Sequence, residues 1–143
     1  MADETNQLRA RLVTPERTLF DHAVTAVELP AKNGYMEVLY GHAPLMAELG
    51  AGDVTLHGGP DGPESLSRYN VNWGFAEVLG DRVTILASDA LKPEEIDVPR
   101  AQQQLEHGHE EWDKAGDSEA AYDEALRVIA EAEAKIASAA EKQ

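Results

Sequence analysis

The chain has 143 residues, 43% of them hydrophobic, which is enough for one ordinary core plus an appendage. Its net charge of −15 repels phosphate backbones and anionic lipid, which argues against nucleic-acid and polybasic membrane binding. The absence of cysteine excludes disulfides, thiolate zinc sites and cysteine nucleophiles.

The first 90 residues are written in short alternating apolar runs broken by glycine, proline, asparagine and aspartate. Leu8, Ala10 and Leu12 alternate with Arg9 and Arg11, a half-buried strand that Pro15 ends. Residues 18–20 and 23–29 follow as strands. Asn33-Gly34 signals a tight turn into a strand at 35–39. Gly41-His42-Ala43-Pro44 is a loop before a strand at 45–49. After residues 54–56, the breaker-dense stretch 58–63 predicts a surface loop. Strands at 67–71, 73–79 and 82–87 complete about nine or ten, the last two joined at Gly80-Asp81. Such spacing predicts a β-sandwich or flattened barrel over residues 1–90.

From residue 91 the texture changes. Glycine and proline nearly vanish, and Ala, Glu, Gln and Leu recur at helical spacing. Asp97 is a natural N-cap with Pro99 in the first turn. Ala101, Leu105, Gly108 and Trp112 form one stripe, and Gly108 marks either a close backbone approach or a weak point. Ala115-Gly116-Asp117-Ser118 ends the first helix and caps the second, whose stripe is Tyr122, Ala125, Leu126, Ile129, Ala132 and Ile136. Residues 91–143 are therefore expected to form an antiparallel helical hairpin, making the class α+β. This tail carries 6 Lys/Arg against 14 Asp/Glu, more acid per residue than the β part.

Catalytic signals are missing. His107-Gly108-His109-Glu110-Glu111 holds histidines at i, i+2, which point apart on a helix, whereas zinc helices use i, i+4. Glu94, Glu95 and Asp97 flank a helix start, where acids favour the dipole. No Walker-type or G-x-G-x-x-G loop is present, so no enzyme is expected. No run approaches the ~20 apolar residues of a membrane-spanning helix. The polar opening, residues 1–6, is unlike a signal peptide, so a cytoplasmic location is expected.

Two strings are more specific: Gly41-His42-Ala43-Pro44-Leu45 between strands, and Ile96-Asp97-Val98-Pro99-Arg100-Ala101 opening the first helix. With Thr14-Pro15-Glu16, Phe20, Gly74-Phe75-Ala76-Glu77-Val78 and Val83-Thr84-Ile85-Leu86-Ala87, they resemble the epsilon-subunit family of the bacterial F-type, proton-translocating ATP synthase. The resemblance runs from Leu8 to about Ala140. It implies a non-catalytic central-stalk subunit that couples proton-driven rotation to ATP synthesis. Its β module would bind the gamma subunit and rest on the membrane c-ring, and its helices would reach the alpha/beta catalytic head. The protein would then sit peripherally on the cytoplasmic face of the plasma membrane, with no span of its own.

Carried over by residue, the resemblance places Tyr40, Gly41, His42, Ala43, Pro44 and Leu45 at the c-ring and gamma interface. His42 reads equally as an interface residue or as a group satisfying loop carbonyls. Met36 and Met46 read as core or as adaptable interface packing. Ile96, Asp97, Arg100 and Ala101 match a string that holds ATP in some members, which makes an ATP-sensor role the alternative; no cofactor is otherwise required. Nucleotide-binding members have an acid where Leu91 stands and more basic residues along both helices. Inhibition of hydrolysis in the family uses basic residues of the second helix, whereas residues 118–143 hold three basic and six acidic groups. Weak inhibition is the expectation. The chain also carries Glu37, Tyr40 and Trp73 where the family favours glycine, proline and glycine, so altered local turn geometry is expected there.

Overall fold

The computed structural model describes residues 7–140, and the polar opening at residues 1–6 lies outside them. The chain splits into two compact units, Met1–Ala90 and Leu91–Gln143. The first holds the strands β1 (Leu8–Val13), β2 (Thr18–Val24), β3 (Ala26–Ala31), β4 (Gly34–Val38), β5 (Leu45–Leu49), β6 (Gly52–Gly59), β7 (Gly62–Leu79) and β8 (Arg82–Leu91). Alternation decides which face each strand buries. In β1, Leu8, Ala10 and Leu12 enter the core while Arg9 stays outside, its Nε donating to Asp21 Oδ1 on β2 at 2.8 Å. That exposed pair contributes at most about 1 kcal/mol. Fully burying Leu12, Leu29, Leu56 or Ile85 contributes roughly 1.5–3 kcal/mol each, so the core carries the unit.

β1 pairs antiparallel with β2 and parallel with β8. The strand order is β2-β1-β8-β7-β5-β3-β4, with β6 bonded to β3 and β7. One strand serves both layers of the sandwich. The first half of β7 pairs with β6, from Gly62 to Val71, and its second half pairs with β5, from Gly74 to Val78.

Among the described residues eight strands stand where about nine or ten were expected, and each difference has a local cause. Residues 67–71 and 73–79 are one strand. Its direction changes at Trp73 (φ 41°) and Gly74 (φ 149°) without breaking the ladder, and Ser88 Oγ donates to the Asn72 carbonyl at 2.7 Å beside the corner. Trp73 thus adopts the left-handed backbone a glycine would take freely, at a cost of about 1–2 kcal/mol. The stretch 58–63 is a hairpin with only Pro60 and Asp61 in its turn, because Gly58 and Gly62 supply positive φ. Thr25, expected inside a strand, separates β2 from β3; its N–H and hydroxyl both donate to the His57 carbonyl, at 2.7 and 3.1 Å. The β3–β4 turn falls at Lys32-Asn33, one residue early, with Gly34 already paired to Ala31.

The second unit opens with a 3₁₀ turn at Pro93–Glu95, then α1 (Val98–Lys114) and α2 (Glu119–Ala140). Asp97 caps α1, its carboxylate accepting the Arg100 N–H at 3.1 Å, and Ser118 Oγ accepts the Ala121 N–H at 3.2 Å to cap α2. Gly116 (φ 58°) turns the chain between them. Gly108 is a point of close approach. A Cβ there would stand 2.8 Å from Ile129 Cγ1 and 3.2 Å from Val128 Cγ1. Small residues carry the seam, with Ala101, Ala125 and Ala132 buried. Leu126, expected in the stripe, is exposed: it lies one position, about 100°, beyond Ala125, and so faces away from that seam.

Candidate interaction surface

Residues 38–47 carry no Asp, Glu, Lys or Arg in a chain that is 27% charged. Val38 ends β4 inside the core, and the chain then emerges. Leu39, Tyr40, Gly41, Ala43, Pro44, Leu45 and Met46 are exposed, and His42 is half-buried. The segment is held by short bonds. Gly41, at φ 89°, donates its N–H to the Gly80 carbonyl in the β7–β8 turn at 2.7 Å. His42 donates its backbone N–H to the Leu39 carbonyl at 3.1 Å, and its Nδ1 lies 2.7 Å from the Ala43 carbonyl. Nδ1–H donation there satisfies a loop carbonyl, the second of the two readings of His42, and leaves the other ring nitrogen outside that bond. The result is a pinned, uncharged apolar loop, the composition that marks protein interfaces.

A second apolar face lies on the outside of β5, β7 and β8. Ala47, Ala76, Val78 and Ile85 point inward, which turns Met46 (62% exposed), Phe75 (51%) and Leu86 (52%) outward. Met46 sits opposite Glu77 and Phe75 opposite Glu48, so Met46 and Phe75 are diagonal neighbours across the ladder. Met36, by contrast, packs against the core. In the sequence Phe75 and Leu86 stand out only as members of the strings 74–78 and 83–87; the local signal for this face is a large apolar residue out of phase with buried alanines. Tyr40 also lines a cleft of about 480 Å³ with Val24, Thr25, Gly58, Gly59 and Gly62.

Ile96 and Ala101 are buried, Asp97 and Arg100 are exposed, and the Asp97 carboxylate is engaged by the cap. Arg127, one of the few cations downstream, has its Nε 3.9 Å from Glu131 Oε2. His107, His109, Glu110 and Glu111 are all exposed on α1. Asp97→Ala is expected to cost about 1 kcal/mol of hairpin stability through loss of the cap. Thermal unfolding followed at 222 nm checks this; an unchanged transition removes the capping role.

Residues 7–93 match the family model described as ATP synthase, Delta/Epsilon chain, beta-sandwich domain. The ATP synthase epsilon chain of Solibacter usitatus is 41% identical over 136 residues, covering 94% of this chain and 97% of that one. The epsilon chain of Maricaulis maris is 37% identical over 140 residues, covering 98% and 99%. A chain in the cryo-EM structure of the Euglena gracilis mitochondrial ATP synthase, comprising OSCP, F1 and c-ring, has the same fold. It superposes with a TM-score of 0.76 at 24% identity, over 92% of this chain and 81% of that one.

Proposed function

The chain belongs to the ATP synthase epsilon-chain family, and on that premise we propose how its surfaces divide the work of a rotor subunit. It is a non-catalytic part of the central stalk, coupling proton-driven rotation of the c-ring to ATP synthesis in the catalytic head. The observation that carries this reading is the uncharged, pinned loop at residues 38–47. A torque-bearing contact needs a surface that does not deform, and two short backbone bonds hold this one. The loop, with Tyr40 through Leu45, meets the c-ring. The outer face with Met46, Phe75 and Leu86 meets the gamma subunit, where large apolar side chains serve as anchors.

No helix among the described residues is long and apolar enough to cross a membrane. The protein is held at the cytoplasmic face of the bacterial plasma membrane through its partners. It requires no cofactor. The hairpin contacts the alpha/beta head only weakly as a regulator, since an acidic α2 is poorly matched to the acidic loop the family's basic helix meets.

Co-expression with gamma, followed by capture of the detergent-solubilised c-ring, tests the assignment. A stoichiometric complex is expected, and failure to retain gamma overturns it. Deleting the chain from Pro93 onward should leave that complex intact. It should change ATP hydrolysis by the assembled head less than about two-fold, which is roughly 0.4 kcal/mol. A many-fold activation on truncation would show that apolar insertion outweighs the charge mismatch.

A further inference from the structure

Near the turn that joins α1 to α2, two large apolar side chains, Trp112 and Leu126, stay exposed around a half-buried Tyr122. Trp112, 41% exposed, meets Tyr122 edge to face, with ring centroids 5.5 Å apart at 80°. Leu126, one helical turn beyond Tyr122, is 51% exposed. The seam that holds the helices together is made instead by Ala101, Gly108, Ala125 and Ala132. The Trp112–Tyr122 pair joins the two helices, yet about two fifths of Trp112 and half of Leu126 stay in water, the kind of contact area that interfaces use.

The charge around this patch is one-sided. Residues 110–127 hold seven acidic groups, all exposed, against two basic ones, Lys114 and Arg127. Helix capping accounts for Asp117 and Glu119 at the start of α2. It does not account for Glu110, Glu111 and Asp113, which sit in the last turns of α1, where the helix dipole disfavours negative charge. All three are exposed, so their charge faces whatever approaches this end of the hairpin.

We propose that the turn end of the hairpin is a docking site for a cationic protein segment with an apolar anchor. Trp112, Tyr122 and Leu126 take the anchor, and the surrounding carboxylates meet its lysines or arginines. A second copy of this chain is excluded as the occupant, because two surfaces of net charge −15 repel. The inference concerns the isolated chain and does not rest on the assembly proposed above.

The test uses the full chain and three 18-residue amphipathic peptides: leucine/lysine, leucine/glutamate and glutamine/lysine. The protein has two tryptophans, Trp73 and Trp112, so two indole N–H resonances report where binding occurs. The leucine/lysine peptide should shift the Trp112 indole and leave Trp73 unmoved, and its affinity should fall at least tenfold between 50 and 300 mM salt. The other two peptides should bind at least tenfold more weakly. Trp112→Ala combined with Leu126→Ala keeps the net charge and should weaken binding at least tenfold. Leu126→Gln, at an already exposed position, should weaken it several-fold with the hairpin intact. Undiminished binding by these variants would reduce the site to nonspecific charge attraction. Absence of binding at millimolar peptide, or a shift at Trp73 in place of Trp112, overturns the proposal outright.

Discussion

Gly74→Ala is expected to remove about 2–5 kcal/mol from the β unit, a large part of the 5–15 kcal/mol that a domain commonly has. Gly74 has φ 149°, and a Cβ on it would collide with the Leu86 carbonyl oxygen and stand 3.0 Å from Ala87 Cα. Both obstacles are backbone of β8. They cannot swing aside as a side-chain end does, and moving them pulls on the parallel ladder in which Leu12 faces Ile85 and Val13 faces Leu86. Overpacking of this kind costs roughly 1–3 kcal/mol, and the disfavoured backbone adds about 1–2 kcal/mol. Trp73, beside it at φ 41°, has already drawn on the same reserve. Gly80→Ala makes the control, since a Cβ there meets nothing within 4 Å and its φ is ordinary. Denaturant unfolding of both variants should show the first shifted strongly and the second within about 0.5 kcal/mol of the parent. A Gly74→Ala midpoint close to the parent's would mean that the corner yields more easily than its geometry implies.

The corner also shows where sequence reading reaches its limit. Features set by neighbouring residues were legible: the Gly80-Asp81 turn and the Asp97 and Ser118 caps. Features set by distant partners were not. Asn72, Trp73 and Gly74 look like a strand break in one dimension. Only β5, β6 and β8 together show that the chain continues through them from one layer to the other. The glycines at 58, 59 and 62 read equally as loop or hairpin until Gly59 is seen paired with Gly62. Leu126 fits a helical stripe by spacing, yet a seam built on alanines is too narrow to include it.

The interaction surface divides the same way. The motif at residues 41–45 was legible as a string, and its lack of charge follows from the composition. Its rigidity was not, because the bond that pins Gly41 comes from Gly80, thirty-nine positions away. The outward face of Met46, Phe75 and Leu86 needs three strands to exist, and no local window of sequence contains it. In the helical string at 96–101, the Asp97 cap was legible locally, whereas the burial of Ile96 and Ala101 depends on how the second unit packs.

The largest functional effect is expected from placing charge in the uncharged loop. Tyr40→Glu combined with Ala43→Glu should weaken binding to a gamma–c-ring subcomplex at least about hundredfold, close to 3 kcal/mol. Both side chains are exposed and neither lies in a strand, so the β unit should keep its unfolding midpoint within about 0.5 kcal/mol. The bonds from Gly41 to Gly80 and from His42 to Leu39 are made by backbone and survive the substitutions. What changes is the cost of removing water from the loop. An apolar loop gives up hydration readily, whereas a carboxylate enclosed without a partner costs about 2–5 kcal/mol at an interface. Tyr40 also loses its aromatic contact area, which adds to the deficit. His42→Ala should act more gently, because Nδ1 already serves the Ala43 carbonyl and only Nε2 is lost to a partner. Surface-immobilised subcomplex titrated with each variant separates these cases. Tight binding by the double variant would mean that the loop faces water or a basic surface in the assembled rotor, and the torque-bearing contact would then have to lie on the face of Phe75 and Leu86.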